Sequence, residues 1–140
     1  MFKEVSIFVI LVFTTLVISC SDSGNLDDNQ LEQKLAEHKK VLESDPDNCF
    51  SLGQVARIYQ TNKEYNLAII HFEKLLNNCP DDISSRSQYG ITILLSGDRE
   101  RGLNQMRQAI NLAKEKGEDE YAAALEEDYV AWENFKLSEK

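Results

Sequence analysis

The side chains that could do chemistry in this 140-residue chain are few: three cysteines, two histidines, a scatter of serines and 24 acids. His38 and His71 stand alone, outside any His-Glu-x-x-His arrangement, and no pair of thiols has zinc-ligand spacing. Gly53, Gly90, Gly97, Gly102 and Gly117 are scattered singly, so no glycine-rich loop cradles a phosphate. Ser84, Ser85, Ser87 and Ser96 lack a His-bearing partner motif and fall where helix caps and helix faces are expected. The acids lie in runs on expected helices, which reads as solvated surface. The expectation is a protein that is not an enzyme and holds no metal and no cofactor. What remains is the chemistry of the cysteines, and their positions depend on the elements around them.

Cys20 closes the N-terminal segment, which has a lysine-bearing start and an unbroken apolar and hydroxyl run from Val5 to Ile18. That run is shorter than the roughly 20 residues of a membrane span and fits the apolar core of a signal peptide. Its end, Val17-Ile18-Ser19-Cys20, resembles the lipobox of bacterial lipoproteins. The resemblance implies cleavage before Cys20, with lipid on its thiol and new amino group. The bland alternative is an ordinary cleaved signal or a short anchor that happens to end at Cys20. One acyl chain contributes about 0.8 kcal/mol per buried methylene and holds a protein only marginally, so the several chains of this class imply stable anchoring. Ser21 after the cysteine implies, by the same comparison, an outer membrane, with the domain facing the periplasm.

Removing residues 1–19 takes away Lys3 and Glu4 and leaves the net charge at −9. That balance argues against nucleic acid and against an anionic lipid surface as partners, since both repel it. Residues 20–30 read as the lipidated cysteine and a polar flexible tether, and residues 31–137 as one domain.

Thirty-four residues separate Pro46 from Pro80, and the apolar residues between them recur in kind at the same interval. Val55, Ala56 and Tyr59 become Tyr89, Gly90 and Ile93; Ala68, Phe72 and Leu76 become Gly102, Met106 and Ile110. One helical hairpin has been written twice, and such a hairpin buries its apolar face only by stacking on a neighbour. The pattern resembles the tetratricopeptide repeat, whose Trp, Leu-Gly, Tyr, Ala, Phe and Pro offsets fall here on Leu52, Val55-Ala56, Tyr59, Ala68, Phe72 and Pro80. The first copy is residues 49–82; the looser second copy, 83–116, has Tyr89-Gly90, Ile93 and Met106, with Lys114 in place of the Pro. The expected fold is all-α, a short solenoid of stacked antiparallel hairpins of the tetratricopeptide type. A helix carrying Leu31, Leu35, His38 and Leu42 and ending at Ser44-Asp45-Pro46 precedes the two hairpins as half a repeat. A final helix, about Glu118 to Leu137, caps them, with Tyr121, Leu125, Tyr129, Trp132 and Phe135 along one side and acids along the other. Some of those aromatics either find cover or remain exposed for a partner.

With Cys20 taken by lipid, two thiols remain in a compartment that permits disulfides, and antiparallel helices bring Cys49 and Cys79 to the same end of the first hairpin. A disulfide between them is expected; the alternative is a pair of small buried thiols.

The family comparison implies a groove lined by the first helix of each hairpin. It selects Phe50, Gly53, Arg57, Gln60 and Thr61 in one copy and Ser84, Ser87, Ile91, Leu94 and Leu95 in the other. Arg57 suits a partner carboxylate through its planar paired donors; Ile91, Leu94 and Leu95 form either a binding patch or a seat for the last helix. The expected function is a lipid-anchored adaptor or accessory subunit in cell-envelope assembly, whose partner is an envelope protein or peptide segment. Nucleic acid and small-molecule substrates are not expected. The alternatives are an envelope enzyme, such as a cell-wall hydrolase with an unrecognised acid pair, and a small-ligand lipoprotein, for which two hairpins enclose little volume.

Overall fold

The computed structural model describes residues 28–135, and residues 1–27, where the expected signal segment and Cys20 fall, and the residues after Phe135 lie outside them. The described chain is all-α: α1 (Asp28–Ser44), α2 (Cys49–Thr61), α3 (Tyr65–Asn78), α4 (Ile83–Leu95), α5 (Arg99–Glu115) and α6 (Asp119–Asn134). α1 begins three residues earlier than Leu31, so Asp28, Asn29 and Gln30 belong to the helix rather than to the tether.

Local chemistry sets the boundaries. The side chains of Asn48, Asp82 and Asp98 accept hydrogen bonds from the backbone N–H of Ser51 (2.9 Å), Ser85 (2.9 Å) and Arg101 (3.2 Å), capping α2, α4 and α5. The α2–α3 turn passes through Lys63 at φ 62°, and the α4–α5 turn through Gly97 at φ 101°. These are equivalent positions, one occupied by the residue that favours left-handed backbone and one by a residue that does not.

α2 pairs with α3 and α4 with α5 as antiparallel hairpins, and these stack with α1 and α6 as half-repeats at the two ends: a repeat-like solenoid, as expected. Leu52, Val55, Tyr59, Phe72, Leu75, Tyr89 and Ile93 form one core, around which α1, α2, α3 and α4 meet. Ile83, Ala109, Ile110, Ala113, Ala122 and Leu125 form a second, built of smaller side chains, between α4, α5 and α6. The helices of each hairpin cross at small residues. Ala56 and Ala68, both fully buried, hold these register positions in the first copy; in the second, a Cβ built on Gly102 would lie 2.8 Å from the carbonyl oxygen of Gly90.

Cys49 and Cys79 are joined by a disulfide, with Cα atoms 6.4 Å apart, which closes the open end of the first hairpin. The second hairpin has neither the bridge nor the proline. Whereas α3 stops at Asn78 ahead of Pro80, α5 runs through Lys114 to Glu115, because nothing there removes a donor or clashes with the preceding turn. α6 consequently starts at Asp119, two residues late against a strict 34-residue register.

Of the side on which Tyr121, Leu125, Tyr129, Trp132 and Phe135 were expected, this helix covers a part. Ala122 and Leu125 are buried and Tyr129 and Trp132 half-buried, while Tyr121 and Phe135 are exposed. The gap against α5 is lined by Ala109 and Ala113 and admits small side chains; the aromatics lie along its flanks. α6 also ends at Asn134, with Phe135 as its extended C-cap.

Candidate partner-binding face

α2 and α4 lie side by side: the Arg57 guanidinium donates across to Ser84 Oγ at 3.4 Å, and a Cβ on Gly53 would sit 3.9 Å from Ser85 Oγ. The register positions expected to line a groove divide into three groups. Phe50, Arg57, Thr61 and Leu95 are exposed; Gln60, Ser84 and Ile91 are half-buried; Gly53, Ser87 and Leu94 are buried.

Leu94 is therefore removed from the partner-binding set, being 3% exposed. Its Cγ lies 2.6 Å from where a Gly102 Cβ would be, so Leu94 fills the hole that the missing side chain leaves in α5. In the first copy Ala68 stands at that place and leaves no hole. Gln60, the counterpart of Leu94, accordingly stays half-buried. Gly53 faces inward as well, 3.1 Å from Leu75 Cδ1 by the same construction. Leu95 turns to the α2–α3 corner, where it lines a shallow hollow with Lys63, Tyr65, Leu67 and Ser96.

Phe50 and Arg57 remain, two helical turns apart on one side of α2 and about 10 Å along its axis. Phe50 is 69% exposed, braced edge-on by His38 of α1 with ring centroids 5.6 Å apart. His38 Nδ1 is in turn 3.3 Å from Ser51 Oγ. Arg57 has no carboxylate within ion-pair reach among the described residues, although the chain carries nine more acids than bases.

Every other arginine is engaged. Arg86 donates to the Pro80 carbonyl at 2.9 Å, and Arg99 to the carbonyls of Glu133 and Phe135. Arg101 donates to Glu73 at 2.5 Å, and Arg107 to the Tyr129 hydroxyl at 2.6 Å. Arg57 keeps most of its planar donor fork open, beside a ring that packing leaves bare. That combination can take a carboxylate and an adjacent apolar side chain of another chain.

Two titratable clusters escaped the sequence reading. Tyr89 donates to Glu73 Oε1 at 2.7 Å and accepts from Arg101 at 2.5 Å, joining α3, α4 and α5. Burial, then the hydrogen bond to Glu73 and its charge, push the Tyr89 phenol up to about 12. His71 stacks on Tyr59 at 5.5 Å, and Lys39 lies over the other ring at 5.3 Å. Burial, then the charges of Lys39 and Lys74, hold His71 below its ordinary value, and its buried Nδ1 has no hydrogen-bond partner. Neither cluster follows the 34-residue interval, so periodicity gave no signal. Leu67 and Ile70, exposed on α3, did leave one: their counterparts in the second copy are the polar Arg101 and Asn104.

Among the described residues no group of three His, Cys, Asp or Glu side chains is arranged to hold a metal ion, and no helix is long and apolar enough to cross a membrane. Cys20 lies outside the described residues. No protein-family profile matches the chain, and no curated protein matches it at a significant level.

Proposed function

We propose that this chain is a lipid-anchored, periplasm-facing adaptor of the tetratricopeptide type, held by Cys20 to a bacterial membrane, the outer membrane by preference. It acts as a small accessory subunit in cell-envelope assembly rather than as a catalyst. Support for the repeat type comes from the 34-residue register, the small residues where helices cross, and the pairing of α2 with α3 and α4 with α5. Support for the anchor comes from the Val5–Ile18 run and the cysteine that follows it.

The observation that carries the adaptor reading is the pairing of an uncompensated Arg57 with a bare Phe50 on the α2–α4 side. Ile91, half-buried at the register position of Arg57 in α4, extends the same surface. The partner it fits is a protein segment carrying a carboxylate about two helical turns from an apolar side chain.

Photo-crosslinking residues placed at Phe50 and Ile91 in intact cells test this, with Asn104 on the exposed side of α5 as the control. The expected result is one common envelope protein captured from 50 and 91 and not from 104, with capture reduced by Arg57→Ala. Capture that is equal from all three sites and indifferent to Arg57→Ala would reject the face. The anchor is tested separately by the mass of the mature chain: an unmodified thiol at Cys20 would reject it.

A further inference from the structure

α1 and α3 run parallel, each packed against α2, and α3 and α5 are spaced by α4 in the same way. The 34-residue register relates the two gaps: Lys39, His71 and Lys74 at the first become Glu73, Gln105 and Gln108 at the second. The second gap is closed by its own charges. Glu73 accepts from the Tyr89 hydroxyl at 2.7 Å and from Arg101 at 2.5 Å, and Gln105 and Gln108 accept from Arg86 at 3.5 and 3.3 Å.

The first gap has no such closure. An ammonium stands where the second has the Glu73 carboxylate, and the counterpart of Arg101 is the uncharged Leu67. Lys39 Nζ lies 5.3 Å from the centre of the Tyr59 ring, and among the described residues no carboxylate is within ion-pair reach of it, Glu43 on the next turn of α1 included. His71 stacks on the same Tyr59 at 5.5 Å. Lys74, one turn along α3, has one carboxylate partner, Asp47 at 3.6 Å, in a pair whose side chains are 46% and 72% exposed and screened by water. Asp47 is also held by Asn78 at 3.2 Å, so Lys74 can leave it without stranding it. The field at His71 is positive, because Lys39 and Lys74 act on it and no carboxylate offsets them, in a chain with nine more acids than bases. Like charges held together repel, and a bound anion removes the repulsion.

We infer that the gap between α1 and α3 binds a phosphate-type oxyanion, with Lys39 and Lys74 as charge partners and His71 as a hydrogen-bond donor. Two lysines present point charges without the planar fork of arginine, which suits a tetrahedral, doubly charged group better than a carboxylate. Nδ1 of His71 is buried without a partner, so Nε2 carries the proton and is the nitrogen left to donate. Tyr59 and Arg57 point about 200° apart around α2, which sets this gap away from the proposed partner face. The inference depends neither on that face nor on the anchor at Cys20.

His38 and His71 are the two histidines of the chain, so their ring signals in a proton–carbon NMR spectrum read the gap and a control position on the other side of α1. The full-length chain, disulfide intact, is titrated in neutral detergent at neutral pH with sodium phosphate, and in parallel with sodium chloride of the same ionic strength. The expected result is a saturable shift of the His71 ring with phosphate, none with chloride, and none at His38. Lys39→Gln and Lys74→Gln each weaken the affinity by about tenfold or more, the loss of one charge-assisted hydrogen bond, with the circular dichroism spectrum unchanged. Lys39→Glu, which gives the first gap the acid of the second, abolishes the shift. Methyl phosphate is the second probe: affinity equal to that of inorganic phosphate supports an ester as the ligand, and markedly lower affinity supports the free ion. Equal shifts with phosphate and chloride, equal affinity for sodium acetate, or phosphate affinity unchanged in both glutamine variants would overturn the site.

Discussion

Adding one methyl group to Gly102 pits two effects of known sign against each other. In an exposed helix interior Gly→Ala is stabilising by about 1 kcal/mol. At Gly102 the new Cβ would lie 2.6 Å from Leu94 Cγ and 2.8 Å from the Gly90 carbonyl oxygen. The first obstacle is a branched, buried side chain and the second is backbone, so relief requires α4 and α5 to separate. Overpacking of this kind costs about 1–3 kcal/mol, and more where backbone must move. The net expectation is a loss of about 1–2 kcal/mol. With a urea dependence of about 2 kcal/mol per molar, the unfolding midpoint falls by about half a molar to one molar. Gly90→Ala, whose Cβ would meet the Gly102 carbonyl at 2.9 Å and the Met106 backbone nitrogen at 3.0 Å, acts in the same direction. Urea unfolding of the oxidised protein followed by circular dichroism measures both. An unchanged or raised midpoint for Gly102→Ala would refute the close crossing, since propensity alone would then have decided the outcome. The same variant displaces Leu94, so its Ile91 crosslink yield tells whether the α4 surface depends on that packing.

Lys63→Gly relieves left-handed backbone at φ 62° and is expected to raise the melting temperature by the equivalent of about 0.5–1 kcal/mol; a fall would mean that the turn does not adopt this conformation in solution. Reducing the Cys49–Cys79 bridge, which spans 30 residues, is expected to remove about 3–4 kcal/mol in the chain-entropy model. Denaturation with and without reductant checks it, and coincident curves would contradict the loop-closure account. His71 is held below its ordinary value, so the folded state binds this proton less readily than the unfolded one. Its contribution to stability is complete above the unfolded value of about 6.5 and is lost as pH falls through that value and the lowered folded one. Melting temperatures of the native chain and His71→Phe, which keeps a ring against Tyr59, are expected to converge or cross on acidification. Parallel profiles would rule out His71 as the acid-sensitive group.

Much of the architecture was legible in the amino-acid order because its causes are local or periodic. Proline at 46 and 80, the caps at Asn48, Asp82 and Asp98, and a 34-residue recurrence of apolar residues determined six helices, their pairing and an all-α stack. The same periodicity, with antiparallel helices, brought Cys49 and Cys79 together. Which side chains remain available to a partner was not determined that way. Leu94 holds a groove position by register yet is buried, because whether a residue stays exposed depends on what its neighbour across the hairpin lacks, here the side chain of Gly102. Three residues of extra helix in the second copy, permitted by the absence of a proline, delay the start of α6 by two residues, and only the packing decided that Ala122 and Leu125 are covered while Tyr121 is not. Arg57 was singled out by type, but only the tertiary structure distinguished it from Arg86, held by the preceding turn and by Gln108 of α5, and from Arg99, Arg101 and Arg107, whose partners come from other helices or from distant parts of the chain. Periodicity specifies which elements form and how they stack; the fit of particular side chains across those elements, set by volumes and donors far apart in the chain, decides which surface is left for function.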